Sequence, residues 1–303
     1  MSQYSIKDLE HLSGIKAHTL RIWEQRYELL NPKRTPTNIR FYDNDDLKLL
    51  LNISVLNDHG YRISKISRMT REEMQAEVQR LSQEYCHYPD QIQSLCLAMV
   101  DMDEARFDRV MSSNIDRIGL ERTMLDVVYP FLTRIGILWQ TGAINPAQEH
   151  FITNLIRQKM IVAIDRCSVV ATERTRKFIL FLPEGEMHEL GLLFAYYLLK
   201  SRNHSVLYLG QSLPVDDVLT VVKVVQPDYV FGIFNIHAGR EATEVYLHRL
   251  IKENAYGLVV VGGSLFSDPT LQLPKSPNYK ALAGVREFME YLESMPSAKL
   301  MAE

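Results

Sequence analysis

The chain has 303 residues, 46% hydrophobic and 23% charged, which is enough for two or three domains of ordinary size with buried cores. No run approaches the ~18 consecutive apolar residues of a membrane span and the opening MSQYSIKDLE lacks signal-peptide character, so a cytoplasmic protein without a membrane partner is expected. The three cysteines show no CxxC or Cys/His spacing, which argues against a disulfide framework and a zinc site. The net charge of -3 conceals an asymmetry: residues 1–71 carry 12 Lys and Arg against 8 Asp and Glu, a balance of +4, while the remainder carries 22 against 29, a balance of -7. A basic head on an acidic body fits nucleic-acid binding at the N-terminus.

Within residues 1–71, Ile6, Leu9 and Leu12 form one apolar side, Gly14 permits a turn, and Leu20, Ile22 and Trp23 are expected to pack beneath a second helix. This is a helix-turn-helix pattern. Lys16, His18, Thr19, Arg21 and Arg26 make the outer side of the second helix polar and mostly basic, as an element entering the major groove requires. The following loop adds Lys33, Arg34, Asn38, Arg40 and Tyr42, a wing able to neutralise phosphates, whose contacts hold register while base contacts specify. A small helical domain that binds protein is the alternative, and it leaves the basic wing without a use.

Residues 72–172 read as helical: QIQSLCLAMV, then Asp103 as an N-cap before EARFDRVMSS, then TMLDVVYPFLTRIGILWQTG, then Pro146 opening PAQEHFITNLIRQKMIVAI. Phe151, Ile152, Leu155, Ile156, Met160, Ile161 and Ile164 keep the rhythm of one buried face. Four such helices suggest a four-helix bundle. From 173 to 303, β-rich runs (KFILFL, SVLYLG, DYVFGIF, GLVVVGG) alternate with helical ones, and an amphipathic segment closes the chain near KALAGVREFMEYLESM. That alternation implies a doubly wound α/β domain with a parallel sheet, in which ligands bind beyond the carboxyl ends of the strands.

At one such end, EGEMHELG places His188 between a strand and a helix, where it is a loop residue, a catalytic base or a metal ligand. A neutral imidazole binds transition metals well, and Glu186, two residues earlier, can hold its other nitrogen. Gly191 leaves room for a bulky group at the helix start. Gly262 and Gly263 end another strand, as an ordinary turn or as backbone that lies against a ligand. No P-loop, Ser-His-Asp arrangement or paired-carboxylate motif competes for this crevice, so no catalytic residue is assigned.

Thr19-Leu20-Arg21-Ile22-Trp23-Glu24 together with Arg34, Asn38, Arg40 and Tyr42 closely resemble the winged-helix DNA-binding domain of the MerR family. The E-x-H-x-x-G run from Glu186 to Gly191 resembles the cobalamin-binding signature, which implies that His188 is the lower axial ligand to cobalt and that Gly262 and Gly263 lie against the nucleotide tail. Trp139, followed after nine residues by Glu149 and His150, is similar to the signature of CarH-like light-sensing regulators, implying a helical cap over the upper face of adenosylcobalamin. Three departures stand out: Gln140 replaces the histidine that photoreceptors of that branch carry, Ile233-Phe234-Asn235 stands where Ser-x-Leu belongs, and Ser264-Leu265 follows Gly263 in place of a further glycine. The resemblance implies a regulator that binds double-stranded promoter DNA as a homo-oligomer, a dimer or tetramer, with adenosylcobalamin or methylcobalamin setting oligomerisation and promoter occupancy. Three alternatives stay open: a fold whose cofactor binding is weakened or lost, a cofactor-free regulator controlled by a partner protein, and a cobalamin-dependent methyl-transfer or isomerase component, for which no catalytic domain is left.

Overall fold

Ser5 starts the first helix, α1 (Ile6–Ser13), through a capping box in which its hydroxyl accepts from Asp8 N and the Asp8 carboxylate accepts from Ser5 N. Gly14, with φ 76°, closes α1 in the left-handed conformation. The next helix, α2 (Ala17–Tyr27), buries Leu20 and Trp23. Ile22, expected beneath α2, is instead 50% exposed, because the i, i+3 stripe already taken by Leu20 and Trp23 turns position 22 outward. Strands β1 (Lys33–Arg34) and β2 (Arg40–Phe41) pair as a short antiparallel hairpin, and Tyr42 bridges back to Tyr4. Helix α3 (Asn44–Asp58), capped by Asp43 and Asp46, supplies the core with Leu47, Leu50, Leu51, Ile53 and Leu56. Helices α4 (Ile63–Ile66) and α5 (Arg71–Glu84) follow. This structure is a computed structural model, described here over residues 4–35, 38–84, 88–140, 145–235, 240–267 and 276–295.

The helical middle comprises α6 (Tyr88–Asp101), α7 (Glu104–Thr123), a π-helical turn (Met124–Val128), α8 (Tyr129–Gln140) and α9 (Pro146–Asp165). Asp103 caps α7 by accepting from Arg106 N at 2.9 Å, and Gly119, with φ 78° and ψ 162°, breaks the helix near its end. Helix α6 packs against α7, α8 and the π-helical turn. A buried relay joins three helices: Ser54 Oγ donates to Ser13 O at 2.8 Å and accepts from Gln93 Nε2 at 2.9 Å. On α9 the expected buried face holds at Ile152, Leu155, Ile156, Met160 and Ile164, while Phe151 is half-buried and Ile161 is 41% exposed. The chain groups into two compact units, Met1–Leu155 and Ile156–Glu303, and α9 contributes to both.

The second unit carries a five-stranded sheet of order β4-β3-β5-β6-β7, parallel throughout, from β3 (Lys177–Pro183), β4 (Ser205–Leu213), β5 (Tyr229–Ile233), β6 (Leu258–Gly262) and β7 (Tyr279–Leu282). Strand β3 is buried in all but its first residue, as a central parallel strand covered on both faces must be. Alternate side chains go to opposite faces. Ile179, Phe181, Val230 and Val259 meet α11 (Val215–Val225) and α12 (Arg240–Glu253), while Phe231 packs on Phe288 of α13 (Val285–Ser294) with tilted rings whose centroids are 4.6 Å apart. Helix α10 (Leu190–Ser201) packs on α13. Strand β7 lies inside the stretch read from sequence as one amphipathic segment, and its four residues are too few to show a period of their own. Among the described residues no helix is long and apolar enough to cross a membrane.

Candidate functional site

The strand order reverses between β3 and β5, and the carboxyl ends of these two strands flank the crevice where doubly wound sheets bind ligands. The loop after β3 carries Glu186, only 2% exposed, and His188, whose side chain is 67% exposed. Glu186 Oε1 accepts from His188 N at 2.9 Å and lies 2.6 Å from His188 Nδ1. Asn235, just past β5, also donates to this carboxylate, and its Oδ1 accepts from Ser264 N and Ser264 Oγ, both at 3.1 Å. Burial pushes the Glu186 carboxyl up, but the His188 amide, the His188 ring and Asn235 outweigh it and hold the group below its ordinary range. An ionised Glu186 keeps the proton on Nδ1, which makes Nε2 the nitrogen that can bind a metal.

The same loop is fastened from its sides. Gly185 N donates to Ser212 Oγ at 3.1 Å and Gln211 Nε2 donates to Met187 O at 2.6 Å, both from the end of β4. Glu189 accepts from Arg157 Nε at 2.7 Å and from the Tyr208 hydroxyl at 2.8 Å. Sequence reasoning missed Asn235, Gln211, Ser212 and Arg157. The available signal was a polar residue at the carboxyl end of a strand next to the reversal, and it identifies Asn235 and Ser212 but not Arg157, which comes from α9.

The glycines differ in what they do. A Cβ on Gly191, in the first turn of α10, would sit 3.3 Å from Ile233 Cδ1, so Ile233 closes over the helix start. Gly263 has φ 120° and a Cβ there would lie 2.1 Å from Phe234 O, so β5 and β6 end in close backbone contact that only glycine allows. Gly262 is unconstrained by comparison, with no atom nearer than 3.8 Å to an added Cβ. The structure thus brings Glu186, His188, Gly191 and Gly263 together around one crevice. Among the described residues no group of three or more His, Cys, Asp or Glu could hold a metal ion.

Of the helical-region candidates, Glu149 and His150 lie in the first turn of α9, with Glu149 Oε2 2.8 Å from His150 Nδ1 and the His150 side chain 72% exposed. The side chains of Trp139 and Gln140 lie outside the described residues.

In the head, Lys16, His18, Arg21, Arg26, Lys33, Arg34, Asn38 and Arg40 are exposed and Thr19 is half-buried. Several of these cations already have acidic partners: Lys16 with Glu10 at 3.0 Å, Lys33 with Asp43, and Arg40 with Glu24 at 3.6 Å. Arg34 donates to Asn38 Oδ1 at 2.7 Å and so shapes the wing tip. Arg21 and Arg26 make no ion pair among the described residues, which leaves them the most available cations of α2. Tyr42 corrects the expectation of a phosphate contact: its side chain is fully buried and its hydroxyl donates to Glu24, with burial first and the Glu24 charge second pushing the phenol up to about 12. It anchors the wing instead of touching DNA.

Comparison with known proteins matches residues 4–73 to the MerR HTH family regulatory protein model and residues 91–163 to the B12 binding domain model. The chain is 30% identical to the HTH-type transcriptional repressor CarH of Myxococcus xanthus, over 86% of this chain and 89% of the relative. It is 25% identical to the repressor CarA of the same organism, over 85% of each. A Methanosarcina barkeri monomethylamine corrinoid protein shares the fold, with a TM-score of 0.51 at 15% identity over 66% of this chain and 96% of that one. Both of these curated relatives are transcriptional repressors, in agreement with a regulator that is not an enzyme. An exposed basic helix in the head, a clamped histidine at the sheet reversal and this similarity along most of both chains together make the protein a member of the CarH-like MerR family of DNA-binding transcriptional regulators.

Proposed function

We propose that α2 reads double-stranded promoter DNA while the body binds cobalamin, as adenosylcobalamin or methylcobalamin, and that the bound cofactor sets the homo-oligomer and hence promoter occupancy. In this reading residues 1–71 are the DNA-binding domain, 72–172 a four-helix cap and 173–303 the cobalamin domain. Arg21 and Arg26 with the exposed wing residues take phosphates and bases, and a dimer places two such heads on two half-sites. A chain that reads promoters works in the cytoplasm.

One observation carries the cofactor half of this reading: an exposed imidazole whose Nδ1 is clamped at 2.6 Å by a buried carboxylate, at the sheet reversal. Cobalamin would supply a cobalt ion already held by its macrocycle, and His188 would hold it through Nε2. The chain's own residues do the rest. Glu186 fixes the tautomer and orientation of His188, Asn235 and Ser264 hold Glu186 in place, Gly191 lets the start of α10 lie close to Ile233, and Gly263 lets the ends of β5 and β6 meet closely beside the nucleotide tail. Trp139, Glu149 and His150 are the residues of the helical middle that would contact the cofactor. A ligand shifts the oligomer only by its differential affinity for the two assemblies, and joining two weakly bound heads raises DNA affinity without any new base contact.

The test is gel filtration of the full chain with each cobalamin, followed by absorbance, beside His188→Ala and beside a gel shift on the gene's own upstream DNA. Comigration with the wild type and an affinity roughly 10–100-fold lower in the variant are expected. If neither cobalamin comigrates with the wild type, the cofactor half is wrong and control by a partner protein takes its place.

A further inference from the structure

Helices α3, α5, α6 and α7 enclose a cleft of about 350 Å³, within the size range of small-molecule sites. It lies on the seam between the two regions matched above, with Asn52 on the α3 side and Gln91 and Arg109 on the other. None of the residues assigned to DNA or cobalamin lines it.

Its chemistry is uneven in an informative way. Val78, Leu97 and Val110 give an apolar wall. Arg106 and Arg109 bring two guanidinium groups, and no carboxylate lines the cleft among the described residues. Arg106 is engaged with Asp101 at 3.3 Å and Asp103 at 3.6 Å, whereas Arg109 makes no ion pair among the described residues. Gln91 gives its carbonyl oxygen to Asn114 Nδ2 at 3.2 Å, which directs its amide N–H toward other acceptors. Asn52 contributes the sharpest feature: its Oδ1 is shut off from water and accepts no hydrogen bond in the structure. Such an acceptor is costly to bury, and a ligand N–H or O–H removes that cost.

We propose that this cleft binds a small amphipathic anion, an aromatic or branched carboxylate that also carries an N–H or O–H donor. The anionic group meets Arg109, the apolar body lies on Val78, Leu97 and Val110, and the donor meets the Asn52 amide. Occupancy is independent of the cobalamin crevice.

The experiment is calorimetric titration of the full chain with indole-3-acetate and with 8-anilinonaphthalene-1-sulfonate, two anions that pair aromatic rings with an N–H. One saturable site per chain is expected, with a Kd on the order of 0.1–1 mM for the smaller probe. Arg109→Ala and Ser113→Trp, the latter placed at an exposed lining position to fill the cleft, each weaken binding about tenfold or more. Arg117→Ala, an exposed arginine on the same helix that does not line the cleft, leaves binding unchanged. Naphthalene-1-acetate, which has the carboxylate and rings without the N–H, binds about five- to tenfold more weakly than indole-3-acetate. Absence of saturable binding of both probes at millimolar concentration, or equal binding by Arg109→Ala, Ser113→Trp and the wild type, overturns the proposal. Equal affinity for the two acetates overturns the role of Asn52. Circular dichroism of each variant shows that it is folded.

Discussion

Gly262 and Gly263 are neighbours with the same side chain, and the structure assigns them opposite tolerances. For Gly263→Ala the new Cβ would lie 2.1 Å from Phe234 O, 2.7 Å from Phe234 C and 2.9 Å from Phe234 N, all backbone atoms that have no rotamer by which to move away. The residue would also keep φ 120°, a region that costs an L-amino acid about 1–3 kcal/mol. Relief requires parting β5 from β6, with loss of the bonds from Phe234 N to Gly262 O (2.7 Å) and from Leu265 N to Phe234 O (3.3 Å). At about 1 kcal/mol for each bond, the total is roughly 3–5 kcal/mol. Gly262→Ala meets nothing nearer than 3.8 Å and restricts the unfolded chain, so its effect lies between about zero and 1 kcal/mol of stabilisation. Two compact units make a single global unfolding curve ambiguous, and hydrogen exchange followed by mass spectrometry on β5 and β6 peptides isolates the effect. About a thousandfold faster exchange is expected for Gly263→Ala, since each 1.4 kcal/mol is tenfold, and no acceleration for Gly262→Ala. Exchange of Gly263→Ala within threefold of the wild type would refute the steric argument. Because Gly262→Ala leaves the sheet intact, weakened cobalamin binding in that variant reports on ligand contact alone.

Other consequences follow from single groups. Asn235→Ala removes a donor from Glu186 and the acceptor of two Ser264 bonds, so cobalamin affinity should fall about 10–100-fold and exchange in the His188 loop should quicken; affinity within twofold of the wild type counts against a positioning role. His204 is buried, and burial first, then Arg176 and Arg202, hold its ring below the ordinary histidine range while Nδ1 accepts from Arg176 N at 3.3 Å. The unfolded chain therefore takes up a proton near pH 6.5 that the folded chain refuses, so stability is full above that pH and declines below it; between pH 7.5 and 5.5 the hydrogen-exchange protection factors of β3 and β4 should drop less in His204→Gln than in the wild type. Arg21→Ala should reduce the slope of log affinity for DNA against log salt by about 1, whereas Tyr42→Phe, altering a buried hydroxyl, should leave affinity within about twofold in the same gel-shift series. Illumination of the adenosylcobalamin-loaded chain should give no spectrum of cobalt held by two imidazoles, because Gln140 replaces the expected histidine; a stable spectrum of that kind would contradict this reading.

The sequence by itself determined the order of the parts and much of the site. Periodicity separated a basic helix-turn-helix, a helical middle and a strand–helix alternation, because 3.6-residue and two-residue repeats are properties of neighbouring residues along the chain. The E-x-H-x-x-G spacing placed Glu186 within reach of His188, since two residues of separation in one tight loop leave few other partners. Elsewhere only the tertiary structure decided. Ile22 and Tyr42 exchanged their expected roles, one exposed and the other buried, because a helix rotates about its axis and a wing folds back on its own head in ways that composition does not encode. Asn235 joined Glu186 from another strand, 49 residues further along the chain, and Gly263 separated from Gly262 through the approach of a carbonyl on a neighbouring strand. Such contacts depend on strand order and register, which are set by packing across the whole sheet and leave no local mark in the sequence.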